Sequence, residues 1–341
     1  MTFFEALEWI NWKNLSPELR LQVMNQVLMY FVSPLKYISD VEYTNFELGG
    51  VKCETFECSI DSERFVLIPG NQEAILGWNF GTQGLPVSAW EHDGNIESTY
   101  YLKLKESYGL ETTEEWDAFV NESTSPLRKV SIPPMLVQKS ALPVGAKSIG
   151  ELNTVTGEFI GVVEAFLPIE ETVRQYFKGA MTLEDCFEIM QAAEIFEENI
   201  FYARSDRDSD TYQIFTHQNE TYTSLKKKVE ADLFELLDED AWEYALGAGT
   251  RKLFRWPRYL DQRPKITDYN MFGLAVSTTN SYWELTDSPF LKLEKMADVG
   301  IPLFDRLPLA TYYRSRKLRA NEEILKPMDY AYRKAIIIRS E

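Results

Sequence analysis

Residues able to do chemistry are few in this chain, and their spacing suits few reactions. There are three cysteines, Cys53, Cys58 and Cys186. The first two are five apart in a strand-like stretch, which is not a zinc-ligand spacing. Cys186 falls on the apolar face of an expected helix and reads as a small buried hydrophobe. Of two histidines, His92 and His217, neither sits in a pattern that brings two imidazoles and a carboxylate to one iron. Asp206-Arg-Asp-Ser-Asp210 has the alternating carboxylates of a calcium loop. Thr211 and His217, however, stand where such a loop needs Gly and Glu, so it reads as a solvated acidic loop. Gly247-Ala-Gly249 lacks the Lys-Ser/Thr of a phosphate loop. Ser33 and Ser224 each open a Ser-x-x-Lys, but the companion motifs of acyl-transfer enzymes are missing. What remains are aromatics and arginines late in the chain: Phe254-Arg-Trp-Pro-Arg258, Tyr282-Trp283 and Tyr312-Tyr-Arg-Ser-Arg316. Such side chains give large contact areas and forked donors, the usual material of binding surfaces.

The elements that must position these residues begin with a helical preface. Ser16 and Pro17 are an N-cap and a first-turn proline, followed by Leu19, Val23, Met24, Val27, Leu28 and Phe31 at helical spacing. Segments 51–58 and 63–69 read as strands. Thr112-Thr-Glu-Glu-Trp-Asp-Ala-Phe119 reads as an acidic helix. Thr182 with Asp185 predicts a capped helix running through Cys186, Ile189, Ala193, Phe196 and Ile200. Residues 204–224 look irregular, and Leu225–Leu237 looks helical. A further helix opens at Asp238, with Glu239 and Asp240 against its positive end, and closes at Gly247 and Gly249.

Four blocks, in order, resemble the formylglycine-generating enzyme (sulfatase-modifying factor) family. They are Phe65-Val-Leu-Ile-Pro-Gly70; Pro126 to Met135 with Pro143-Val144; Glu235 to Ala245 with its Trp-Glu-Tyr-Ala, followed by Asn270-Met-Phe-Gly-Leu274 and Asn280-Ser-Tyr-Trp-Glu284; and Tyr332 to Arg339. The resemblance implies an irregular α+β fold related to C-type lectin-like domains. It places an N-terminal helical and strand extension at 1–60, packed on a main domain at 61–341 with insertions near 91–125 and 200–235. It also implies that Arg255, Tyr282, Trp283, Tyr312, Tyr313, Arg314 and Arg316 border a ligand groove, and that Trp242, Trp256 and Trp283 pack the core. Family members oxidise a substrate cysteine with two copper-binding cysteines in the segment written here as Ala310 to Arg316, yet no cysteine follows Cys186. Relatives that use iron need a histidine-rich site. Asn270 and Asn280 are the donors left for the structural calcium that members often hold.

The 341 residues carry 53 acidic and 35 basic side chains, a net charge of −18. That balance disfavours nucleic acid and anionic membranes. No apolar run is long enough to span a bilayer, and Met1-Thr-Phe-Phe-Glu has no basic leader, so a cytoplasmic protein is expected. The sequence therefore points to a non-catalytic binding protein, a pseudoenzyme without cofactor apart from that calcium, taking an unknown small molecule or protein. The alternatives are an enzyme of unassigned, metal-dependent oxidative reaction in the same groove, and a structural or assembly subunit.

Overall fold

In the computed structural model, residues 1–48, 51–91, 96, 98–178, 194–205, 210–254, 267–277, 282–295 and 299–340 are described. The chain is mixed α+β and divides into two compact units. The first comprises Met1–Ala141, Lys226–Ala320 and Tyr332–Glu341, and the second Leu142–Leu225 and Asn321–Ala331.

The first unit is built on an antiparallel sheet of β1 (Ile38–Leu48), β2 (Val51–Ile60), β3 (Glu63–Ile68), β4 (Met135–Gln138), β5 (Glu235–Leu236) and β6 (Lys334–Ile337), in the order β1-β2-β3-β4-β6-β5. β2 and β3 form a hairpin whose loop residues, Asp61 and Ser62, have φ of 50° and 66°. Two consecutive left-handed residues match the twist of the flanking strands. Val66, Ile68, Met135, Val137 and Ala335 from the sheet join a core with Trp116, Trp242, Phe272 and Tyr312. Three helices matter below: α1 (Pro17–Phe31), α2 (Thr99–Tyr108) and α3 (Thr113–Glu122). Ser16 caps α1, as the sequence led one to expect; the expected acidic helix is α3, and Thr112 forms a capping box with Glu115 at its start.

The boundary expected at residue 60 does not coincide with a division of the chain. β1 and β2 are two strands of the six-stranded sheet, and Trp9 N–H donates to Gly70 O while Gly70 N–H donates to Leu7 O. β1 escapes sequence reading because most of its side chains are at least partly exposed, so polar Ser39, Asp40, Glu42 and Asn45 hide the strand. The segment 225–237 is helical only to Ala231; Leu233 has φ of 62° and Glu235–Leu236 is a strand.

The second unit is a five-stranded antiparallel sheet ordered 194–197, 201–205, 211–216, 147–153, 159–161. With it are short helices, Val163–Phe166 and Glu170–Lys178. Its separate core contains Ile149, Leu152, Phe166, Val173, Ile195, Phe201 and Ile214. Two expectations are corrected here. Phe196 lies in the strand Glu194–Glu197 rather than on a helix, and the supposedly irregular 204–224 contains the strand Thr211–Thr216 and the helix start at Tyr222. Tyr212 and Ile214 alternate inward with period two, a signal masked by the polar Asp/Ser run just before them. Cys186 and the start of the helix expected from Thr182 lie outside the described residues.

Candidate functional site

The Trp-Glu-Tyr-Ala segment forms α4 (Glu239–Gly247). Asp238 caps it, its carboxylate accepting from Ala241 N–H at 2.7 Å, and Ala248 ends it in the left-handed conformation. Every residue from Ala241 to Gly247 is buried, Glu243 included. The helix thus carries carboxylates into the interior, where ions without partners are costly.

Those partners come from distant parts of the first unit. Lys292, fully buried, places its ammonium 2.5 Å from Glu243 and 2.8 Å from Glu239 and also donates to Tyr313 O at 3.2 Å. Arg128 pairs with the other oxygen of Glu243 at 3.0 Å and with Asp240 through its Nε at 2.8 Å. Arg314 grips Glu239 with two bonds of 2.8 and 2.6 Å while its guanidinium lies 4.0 Å from the Phe290 ring centre. Burial alone would raise the Glu239 carboxyl; Arg314 and Lys292 outweigh it and hold the group at about 2. Next to this network, Trp242 Nε1 and Arg333 Nε both donate to Glu284 Oε1, at 2.9 and 2.8 Å. Arg333 also donates to the carbonyls of Lys139 and Ala275, at 2.7 and 2.8 Å. Four sequence-distant blocks are thereby tied together by charge-assisted bonds.

Asn270 supplies the second tie. Its amide NH2 donates to Ala245 O at 2.7 Å and Leu246 O at 3.2 Å, satisfying carbonyls at the end of α4. Its Oδ1 accepts from Phe272 N–H and Leu274 N–H, each at 3.0 Å. The glycine of this turn is required: Gly273 has φ of 83°, and a Cβ there would lie 2.3 Å from the Phe46 ring. The side chain offered to calcium in the sequence reading is thus committed to backbone at both ends. Its proposed companion Asn280 lies outside the described residues, as do Arg255, Trp256, His92 and Asp206–Ser209.

The structure separates the remaining groove candidates. Tyr312 is buried and donates to Thr250 O at 2.9 Å. Arg314 is taken up by Glu239. Tyr313 points elsewhere, its hydroxyl 2.6 Å from Glu294, and Ser315 donates to the same carboxylate at 2.9 Å. Burial, then Glu294, pushes the Tyr313 hydroxyl well above the usual phenol range. Trp283 is half-buried, donating to Ser315 Oγ at 3.3 Å with the Lys317 ammonium 4.7 Å from its ring centre; Tyr282 beside it is also half-buried. Arg316 is exposed. It donates to Tyr108 Oη at 2.6 Å and stacks on that ring at 5.2 Å. A narrow cleft lined by Tyr100, Phe119, Glu294, Phe304 and Tyr313 reaches Arg316. There it adjoins an open depression of about 640 Å³ lined by Tyr108, Glu114, Glu115, Glu122 and Arg316.

Elsewhere, Cys53 and Cys58 are buried and their thiols are pushed up to about 12 by burial, which makes them poor nucleophiles. His217, in the second unit, has Nε2 3.1 Å from Glu197 O and stacks on Phe196 at 4.6 Å. Among the described residues no three His, Cys, Asp or Glu side chains converge as a metal site. Sequence reading missed Lys292, Glu239, Glu243 and Arg128 as a set, because isolated acids are commonplace in so acidic a chain. The one available signal was Glu243 amid the apolar face of α4.

Residues 147–216 match a family described as a profilin-like domain of unknown function, a span that lies within the second unit. No curated protein matches the chain. Among the described residues no helix is long and apolar enough to cross a membrane.

Proposed function

We propose that the first unit is a formylglycine-generating-enzyme-like domain, related to C-type lectin-like folds, that serves binding rather than catalysis. What supports the kinship is the meeting of its motif blocks: Trp242, Glu284 and Arg333 share one carboxylate, and Asn270 caps the helix that carries Trp242. In the segment Ala310–Arg316, where the resemblance puts that family's thiol pair, this chain has no cysteine, and its Tyr312 and Tyr313 are buried with both phenols hydrogen-bonded. The buried acids nearby are each held by Lys or Arg, which leaves them as scaffold.

The observation that carries the binding reading is the position of Arg316 and Tyr108 at the junction of cleft and depression. The ring and guanidinium are already stacked, so little side-chain entropy is lost when a ligand covers them. Around them Glu114, Glu115 and Glu122 outnumber Arg316, and Glu294 lies within the cleft. The ligand is therefore a small molecule or protein segment that presents a cation beside a planar group. A thermal-shift screen of primary amines and guanidines against matched carboxylates tests this. Amines carrying a planar group are expected to dominate the hits and to lose about tenfold in affinity in Tyr108→Leu and in Glu122→Gln/Glu114→Gln. Carboxylate hits, or amine hits indifferent to both variants, would contradict the reading.

A further inference from the structure

A second cavity in the first unit, of about 410 Å³, has the opposite character. Its wall includes Trp9, Tyr244, Met271 and Phe272. Trp9 is its half-buried aromatic face and is held from behind: it packs edge-on to the buried Phe272 at 5.9 Å, and the buried Tyr244, anchored by its hydroxyl to Pro69 O, lies 5.4 Å from the same Phe272 ring. At the end of α4 the chain turns through left-handed Ala248 and Gly249, with φ of 51° and 64°, and brings Arg251 and Lys252 to the rim.

Both cations are exposed, and neither has a carboxylate partner among the described residues. Cations after a helix usually answer the negative end of its dipole. Here that task is already done: Asn270 donates to Ala245 and Leu246, and Thr250 N–H and Oγ1 both donate to Gly247 O. The Arg251 guanidinium instead sits 5.6 Å from the Phe80 ring centre. Two further side-chain groups on the wall have no partner among the described residues, the Trp9 indole N–H and the Asn71 NH2, and both are donors. The carboxamide oxygen of Asn71 is occupied by Glu73 N–H. Glu8, the acid next to Trp9 in the chain, accepts from Gln72 N–H at 3.2 Å. The chain's net charge is −18, yet the described side chains on this wall that have no partner are all cations or donors.

We propose that this cavity binds a small amphipathic anion, its flat apolar body against Trp9 and its carboxylate or phosphate between Arg251 and Lys252. Burial of the body supplies the affinity and the rim fixes its orientation. The proposal is independent of the cleft at Arg316, which has the opposite charge.

The test uses three probes on the full chain: 1-naphthyl phosphate, its neutral counterpart 1-naphthol, and inorganic phosphate, followed by calorimetry. Naphthyl phosphate is expected to bind at least about tenfold more tightly than either, and to lose about tenfold in Arg251→Ala/Lys252→Ala. Both substituted residues are exposed, so the variant should retain the wild-type melting temperature. Raising the salt concentration should weaken the phosphate ester and leave the naphthol unchanged. Equal binding of ester and alcohol, or an ester affinity untouched by the double substitution, would overturn the proposal. Arg316→Ala serves as the control and should leave naphthyl phosphate binding unaltered.

Discussion

At the scale of single residues, the buried acids of α4 are matched by cations from distant parts of the first unit. Lys292 serves two carboxylates and a carbonyl at once. Lys292→Met keeps the apolar stem but leaves Glu239 to Arg314 alone and Glu243 to Arg128 alone, so it should destabilise the fold by about 3–5 kcal/mol in denaturant unfolding, the cost of breaking a buried ion pair. A loss under about 1 kcal/mol would mean the network is solvated. Glu239 gives a pH signature. Its folded-state carboxyl is held at about 2, below the ordinary 4.5, so folding favours the ionised form. The stability it contributes is complete above about 4.5 and disappears as pH falls through about 2. The stability difference between wild type and Glu239→Gln should therefore stay constant from neutrality to about pH 5 and narrow in more acid solution. A difference that widened there would reverse the assignment.

At the scale of elements, α4 is the hub, and both of its ends are capped from side chains. Asp238→Ala removes one N-cap bond and should cost about 1 kcal/mol. Asn270→Ala removes four bonds and leaves buried backbone groups unsatisfied, so it should cost several times as much, about 3 kcal/mol or more. The order of the two, read by chemical denaturation, is the check; equal costs would mean that water replaces the Asn270 amide. The same elements show what a sequence discloses. α1, α3 and α4 were legible because Ser16, Thr112 and Asp238 announce their starts by local hydrogen-bonding chemistry. β1, the strand at 211–216 and the unit boundaries were not, because they depend on pairing between distant segments, which local periodicity does not encode. At the candidate site, Arg316 and Tyr313 could be named from residue type and the family resemblance. Their partners Tyr108 and Glu294 could not, since they are 208 and 19 residues away.

At the scale of the molecule, two units with separate cores share one chain, and the second carries the profilin-like match. The first holds two concavities of opposite charge. The acidic one accords with the net charge of −18, while Arg251 and Lys252 make the other a local exception. We propose the Arg316–Tyr108 cleft as the place where the ligand binds. Hydrogen–deuterium exchange of the full chain, with and without the best amine from the screen, tests it most directly. Protection is expected in α2, α3 and residues 311–317, with the second unit unchanged. Protection confined to other segments, or none at saturating amine, would contradict the claim.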